Sequence, residues 1–164
     1  MAVTVGRSKW MSVGKRLRAG RRLPYPSTQS DLGSDMSEMF RAVLTQACQK
    51  LGWSMGEDSV EARFENHRHQ IVYYEFFEFE DHPLVRLYTV IGDSTRVKAI
   101  RLADGLRLSF RLPHGALAVR GDDLVMVDTL PVAEASPETL ASVIRYLAET
   151  ADRLEDSMFG GDDH

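Results

Sequence analysis

The hydrophobic positions of residues 36–52 recur at spacings of three and four, as they do along one face of an α-helix. Residues 136–160 show the same periodicity, and their first three residues, Ser136, Pro137 and Glu138, are of the types favoured where a helix begins. We therefore predict a first helix over residues 36–52 and a last helix over residues 136–160.

Between these two segments the pattern changes to runs rich in β-branched and aromatic residues, which favour strands. Such runs cover residues 59–65, 70–80 and 83–91, the last two separated by Asp81-His82-Pro83, and two more flank the turn at Arg120-Gly121-Asp122-Asp123. Residues 94–110 instead predict a middle helix, with one apolar stripe formed by Val97, Ile100, Ala103, Leu106 and Phe110.

The predicted element order is therefore α-β-β-β-α-β-β-α. Short links between consecutive strands favour antiparallel pairing. We expect an α+β fold of two layers, in which a five-stranded antiparallel sheet carries the helices on one face.

The stretch QIVYYEFFEFED, residues 70–81, is apolar on both faces of its predicted strand: Ile71, Tyr73 and Phe77 alternate with Val72, Tyr74 and Phe76. A two-layer protein covers only one sheet face with its own helices, and large uncovered apolar patches are rare in soluble monomers. We expect the second face to meet a second subunit, a client protein or a further segment of this chain. Coverage by flanking loops and helices is the alternative.

The charge is unevenly distributed along the chain. Residues 1–35 carry seven basic side chains against two acidic ones, a charge of +5, so with a net charge of −4 the remaining residues carry −9. We interpret residues 1–35 as a flexible basic extension, or as sequence upstream of the true start, followed by one domain over residues 36–160 and an acidic tail at 161–164. The acidic body does not attract phosphate backbones, so nucleic acid would bind through the basic arm, at Lys15, Arg16, Arg18, Arg21 and Arg22. An organelle transit peptide is a third interpretation of this segment.

The sequence gives no catalytic signature. The single cysteine, Cys48, excludes an internal disulfide and fits a reducing compartment, so we expect a cytoplasmic protein. No apolar run is long enough to span a membrane. His67, His69 and His82 are interpreted as loop histidines, with a metal-dependent enzyme as the alternative. We expect no cofactor and no metal site.

Two segments resemble a known family. GALAVRGDDLVMVDTLPVAEASPETLASVIRYLAETADRLEDSM, a hairpin followed by a capped amphipathic helix, and MSEMFRAVLTQACQKLGW, an opening helix before the strands, are similar to YbjN-like proteins. YbjN-like proteins share the fold of type III secretion chaperones. The resemblance covers residues 36–159.

The resemblance implies a non-enzymatic bacterial protein. Secretion chaperones of this fold are small acidic homodimers that bind extended segments of a client through apolar patches on the sheet and the first helix, and YbjN-like proteins are linked to regulation and stress responses. We therefore predict a homodimeric, chaperone-like adaptor. Its candidate client or dimer contacts are Met39, Phe40, Tyr74, Phe76, Leu84 and Tyr88. The alternative function is a nucleic-acid-associated factor that uses the basic arm beside a DNA-binding or repair protein.

Overall fold

The computed structural model describes residues 34–64 and 68–159. Within these residues, helix α1 spans Ser34–Leu51, α2 spans Ala99–Ser109 and α3 spans Pro137–Phe159. The strands are β1 (Ser54–Met55), β2 (Ser59–Arg63), β3 (His69–Phe79), β4 (His82–Asp93), β5 (Ala116–Arg120) and β6 (Asp123–Pro131). The predictions made for residues 1–33, for His67 and for the tail at 161–164 lie outside the described residues.

The strands form one antiparallel sheet in the order β1-β2-β3-β4-β6-β5. The predicted α+β class is confirmed, with six strands in place of the five expected. The additional strand, β1, pairs with β2 through only two residues, Ser54 and Met55. A strand of two residues is too short to produce a periodic pattern, so β1 could not be predicted from periodicity.

The middle helix begins later than predicted. The Asp93 carboxylate accepts a hydrogen bond from the Thr95 backbone N–H at 2.9 Å and holds residues 94–96 in a separate 3-10 turn. Val97 and Lys98 are then extended, and α2 starts only at Ala99. The local hydrogen bond of Asp93 offers the backbone an alternative to the α-helix, which explains the break.

The hairpin between β3 and β4 is closed by two residues, Glu80 and Asp81, which both have positive φ angles, 50° and 62°. This is the pattern of a type I′ turn, the two-residue turn that matches the twist of antiparallel strands. It pairs Phe79 with His82, so each odd residue of β3 lies opposite an even residue of β4. The turn therefore decides which side chains share a face of the sheet.

The core lies between the sheet and the layer of α1 and α3. One face of α3 is buried along its length, through Leu140, Val143, Ile144, Leu147, Ala148, Ala151 and Leu154. The start of α3 agrees with the prediction, because the Ser136 hydroxyl accepts a hydrogen bond from the Thr139 backbone N–H at 3.1 Å. Each fully buried large apolar side chain contributes roughly 1.5–3 kcal/mol, so α3 is a main source of stability.

Thr89 on β4 is completely buried, and its hydroxyl has no hydrogen-bond partner among the described residues. A buried hydroxyl without a partner costs about 1–3 kcal/mol. We expect Thr89→Val, which has nearly the same shape, to raise the free energy of unfolding by about 1 kcal/mol in urea denaturation. Thr150→Val is the matched control and is expected to lower it, because the Thr150 hydroxyl accepts a hydrogen bond from Arg153 at 3.0 Å. A loss of stability in Thr89→Val would contradict the prediction.

Candidate functional site on the outer face of the sheet

The side of the sheet opposite the core, here called the outer face, is made by the residues that alternate with the core positions. Its central residues are Tyr73, Glu75, Phe77, Leu84, Arg86, Tyr88 and Arg120. None of the apolar ones belongs to the core cluster, although Tyr88 is only 7% exposed. Because the described helices pack on the core side, none of them covers this face.

Aromatic rings form the middle of the outer face. Tyr73 and Tyr88 lie opposite each other on β3 and β4, and their rings stack with centroids 5.3 Å apart and planes at 21°. The Arg120 guanidinium lies over the Tyr88 ring, 4.6 Å from its centroid. Tyr88 is therefore buried by neighbouring side chains of the sheet, and no described helix contributes to its burial.

One carboxylate and two guanidinium groups lie beside these rings. Arg86 is the cross-strand neighbour of Glu75 and donates a hydrogen bond to it at 2.7 Å. Arg120 approaches the second oxygen of Glu75 to 3.6 Å. Arg86 also lies over the Phe77 ring, 4.3 Å from its centroid. The three charged groups together carry one net positive charge, and aromatic contacts hold both guanidinium groups.

The contact between Arg120 and Glu75 shows that the outer face is concave. Arg120 lies on β5 and Glu75 on β3, and strands β6 and β4 separate them in the sheet order. Three strand spacings amount to about 14 Å on a flat sheet. Along the strands the two residues are also offset, because Arg120 pairs with Asp123 of β6 whereas Arg86, the partner of Glu75, pairs with Thr129, six residues or about 20 Å away. A distance of 3.6 Å therefore requires the sheet to curve around this face.

Burial raises the pKa of Tyr88 above that of an ordinary phenol, and the nearby Arg120 only partly opposes this effect. Burial also raises the pKa of the Tyr74 hydroxyl on the core side, again partly opposed by a cation, Arg41. Both phenols are therefore neutral at physiological pH. The outer face has the chemistry of a binding surface, with apolar rings, hydroxyl groups and guanidinium donors.

The predicted contact residues do not share one surface. Leu84 and Tyr88 lie on the outer face, whereas Met39 is 56% exposed on α1. Phe40 and Tyr74 are buried in the core, and Phe76 is partly buried against it. The Phe40 ring lies 5.5 Å from Tyr74 and 5.1 Å from Phe76, so these three residues join α1 to β3.

Tyr74 has a structural role in this arrangement. Its hydroxyl donates a hydrogen bond to the Glu57 carbonyl at 2.7 Å and accepts one from Arg41 at 2.9 Å. These bonds link α1, β3 and the turn between β1 and β2. Tyr74 therefore holds elements together from within the fold.

Five outer-face residues were absent from the predicted contacts: Tyr73, Glu75, Phe77, Arg86 and Arg120. Alternation along β3 contained the signal for the first three, because Tyr73, Glu75 and Phe77 occupy one side of the strand. Arg86 is found once the hairpin register is known. Arg120 belongs to the distant strand β5, and no local pattern marks its contact with Glu75.

A second apolar surface lies on α2. Ile100 and Leu106 are more than half exposed, and Phe110, just after the helix, is 94% exposed. We call Ile100, Ala103, Leu106 and Phe110 the α2 strip. The apolar stripe predicted for the middle helix is therefore largely exposed at Ile100, Leu106 and Phe110. The opposite side of α2 is buried, because Gly105 lacks a side chain and lies close to Leu117 and Met158.

The described residues do not form a metal site. No group of three or more His, Cys, Asp or Glu side chains within residues 34–64 and 68–159 has the arrangement of metal ligands. His69 begins β3, whereas His82 pairs with Phe79 at the far end of the same strand. Ten residues of strand separate these two ends by about 33 Å. His69 and His82 therefore cannot bind one ion.

The described structure assigns no chemical role to two further features of the sequence, Cys48 and the basic arm. Cys48 is buried on α1, and burial raises the pKa of its thiol, which disfavours the reactive thiolate. The basic arm that would hold nucleic acid lies outside the described residues, so that role stays a prediction. Among the described helices, none combines the length and apolar character that crossing a lipid bilayer requires.

The fold has a counterpart among solved structures. One chain of the HopA1–SchA chaperone–effector complex matches with a TM-score of 0.53 and 13% identity, over 76% of this chain and 99% of that chain. The described domain therefore has a chaperone-like fold, as the sequence resemblance predicted. A second match is the crystal structure of the Yersinia pestis type III secretion chaperone SycH in complex with a stable fragment of YscM2. Its TM-score is 0.48, at 18% identity over 70% of this chain and 98% of that chain, and the fold assignment rests on the first match.

No protein-family model matches the chain, and no curated protein matches it. Membership of the YbjN-like family stays a prediction.

Proposed function

We propose that this protein is a non-enzymatic, chaperone-like adaptor that binds an extended segment of a client protein on the outer face. The observation that carries the proposal is the concave aromatic surface around Tyr73, Phe77 and Tyr88, which no described helix covers. Soluble proteins rarely leave such a surface without a partner. The chaperone-like fold supports the same function, since the matched complex pairs a chaperone with an effector.

The composition of the outer face suits a protein partner. Tyr, Phe and Arg are enriched at protein interfaces, and Tyr and Arg are common where single side chains dominate the binding energy. Here the stacked pair Tyr73–Tyr88 and the two ring-bound arginines are already fixed by contacts within the sheet. A surface that is ordered before binding loses less conformational entropy when the partner arrives.

The predicted contact residues take different parts in this proposal. Leu84 would touch the client directly, Tyr88 would support Arg120 from beneath, and Met39 would offer a smaller contact on α1. Phe40, Tyr74 and Phe76 would act from the core side by holding α1 against β3. The cytoplasmic location expected from the single cysteine is part of the same proposal.

The client-binding proposal is tested with the cross-strand pair Phe77 and Leu84. The double variant Phe77→Ser, Leu84→Ser is expected to capture at least tenfold less of a client from nuclease-treated native lysate, because truncating a central contact costs about 2 kcal/mol or more. Quantitative mass spectrometry measures the captured partner.

Val119→Ser is the control for that experiment. Val119 is 58% exposed on β5, and it lies on the core side of the sheet, opposite to the outer face. This variant is expected to capture the client as the wild type does. Equal capture by the double variant, with unchanged circular dichroism and melting temperature, would overturn the proposal. A partner that appears only when nucleic acid is left in the lysate would favour the basic arm instead.

We also propose that the protein forms a homodimer through the α2 strip. The strip runs along α2 with a small residue, Ala103, near its middle, which lets a second helix approach closely. A two-fold axis would bring the same strip from both copies together. The ion pair of Asp104 with Arg107 on the same helix, 2.7 Å long, lies beside the strip and could exchange between copies.

The dimer proposal predicts that Leu106→Ser, Phe110→Ser converts the protein from a dimer to a monomer in light scattering coupled to size-exclusion chromatography. Removing two large apolar contacts from each copy takes away most of the strip's apolar area. Met39→Ser, on α1, removes a similarly exposed side chain and is expected to stay dimeric. A wild-type protein that remains monomeric at high concentration would exclude this interface.

A further inference from the structure

The charges of Glu75, Arg86 and Arg120 on the outer face do not cancel. Glu75 is one carboxylate shared by two guanidinium groups, Arg86 and Arg120, so one positive charge remains. Arg86 donates a hydrogen bond to Glu75, but the 3.6 Å separation of Arg120 from Glu75 is too long for one. Arg120 donates no hydrogen bond to any residue within 34–64 and 68–159. Its guanidinium therefore has donors available for an added acceptor.

Both arginines are nevertheless held in place. Arg120 stacks on Tyr88 and Arg86 stacks on Phe77, with guanidinium carbons 4.6 and 4.3 Å from the ring centroids. A guanidinium that stacks on a ring keeps its N–H groups in the plane of the ion, where a carboxylate can accept two of them. The outer face thus combines a fixed pair of cationic groups with apolar rings on either side.

We propose that the outer face selects client segments in which one Asp or Glu is flanked by apolar residues. The client carboxylate binds Arg120 and competes with Glu75 for Arg86, while the flanking apolar side chains contact Tyr73 and Phe77. This inference rests on the proposed client-binding function and specifies the chemistry of the client.

A peptide fits this surface better than a nucleic acid does. One client carboxylate matches the single excess positive charge of the arginine pair. A polyanion would meet Glu75 at the centre of the face and, beyond it, a body that carries −9 over residues 36–164. Single-stranded nucleic acid also needs successive cationic contacts along its backbone, whereas the arginines of this face, Arg63, Arg86 and Arg120, each lie beside a carboxylate.

The probe is a phage-displayed library of random 12-residue peptides, selected on the full chain. We expect enriched sequences to share one acidic residue between apolar ones. An enriched peptide and its Glu→Gln or Asp→Asn form are then synthesised, and isothermal titration calorimetry measures both. The acidic form is expected to bind at least tenfold more tightly, because hydrogen bonds to charged groups contribute more than neutral ones.

Three substitutions test the role of the charged group. Arg120→Gln is expected to remove the preference, so that the acidic and the amide forms of the peptide bind with equal affinity. Glu75→Gln removes the competing carboxylate and is expected to tighten binding of the acidic peptide, on the order of threefold, since partly exposed ion pairs are weak. If Glu75 only held the surface in place, Glu75→Gln would instead weaken binding of the acidic peptide. Arg120→Glu is expected to shift the selection toward basic peptides.

Arg145→Gln is the matched control, because Arg145 is exposed on α3, away from the sheet. It is expected to bind both peptides as the wild type does, and the melting temperature of each variant confirms that it is folded. Peptides that bind through Phe77 and Leu84 without any acidic preference would overturn this inference and leave the proposed function standing. Peptides insensitive to every outer-face substitution, or a library that yields nothing while a single-stranded oligonucleotide binds, would overturn both.

Discussion

Replacing Phe40 with Ala is expected to lower the free energy of unfolding by about 3–5 kcal/mol, the usual cost of removing a buried aromatic side chain. Phe40 is 1% exposed, and its ring contacts Tyr74 and Phe76 on β3. The substitution therefore leaves a cavity between α1 and the sheet. Client binding should fall only in proportion to the fraction of unfolded protein, because Phe40 does not reach the outer face.

Urea denaturation measures this loss, and the preceding residue supplies the control. Met39 is 56% exposed, and Met39→Ala is expected to change the free energy of unfolding by less than about 0.5 kcal/mol. Because both residues lie in α1, comparing the stabilities of the two variants separates the effect of burial from the effect of helix propensity. Equal stability of the two variants would mean that α1 does not pack through Phe40.

Replacing Gly115 with Ala is expected to cost about 2–3 kcal/mol, from two sources. The backbone of Gly115 has a φ angle of +66°, where a residue with a side chain is strained. An added Cβ would also lie 3.0 Å from the Val127 carbonyl oxygen and 3.0 Å from a Leu147 methyl group. The carbonyl belongs to the centre of strand β6 and cannot move away easily.

A substitution at Gly121 measures the backbone strain without the crowding. The φ angle of Gly121 is +63°, nearly that of Gly115, but an added Cβ would meet nothing within 4 Å. Gly121→Ala is therefore expected to cost only the backbone strain, about 1–2 kcal/mol, in the same denaturation experiment. An equal loss in the two variants would show that the crowding around Gly115 has no energetic effect.

The sequence was sufficient for the elements that carry a long, one-sided apolar pattern. Helices α1 and α3 begin and end within two residues of their predicted limits, because each has a wide stripe and α3 also has the Ser136 cap. The α+β class followed from the order of these patterns. Helix α2 was less predictable, because a local hydrogen bond of Asp93 delays its start and Gly105 decides which side is buried.

The composition of the outer face could not be derived in the same way. Both sides of β3 are apolar, so periodicity alone does not tell which side the helices cover. The hairpin register depends on Glu80 and Asp81, whose positive φ angles no sequence rule requires of these residue types. A three-residue turn at Asp81-His82-Pro83 would instead pair even residues of β3 with even residues of β4 and would group Tyr74 and Phe76 with Leu84 and Tyr88, because an odd register shift exchanges the two faces.

The position of α3 has a consequence for how the protein is made. This helix is the last described element of the chain, yet it packs on β2, β3, β4 and β6 and on α1. Its first turn even meets α1 directly, through the ion pair of Glu138 with Lys50, 88 residues earlier. During translation the part of the core side that α3 covers is therefore open to water until this helix leaves the ribosome, although α1 can already pack on Tyr74 and Phe76. We expect the nascent chain to need general molecular chaperones until α3 has been synthesised.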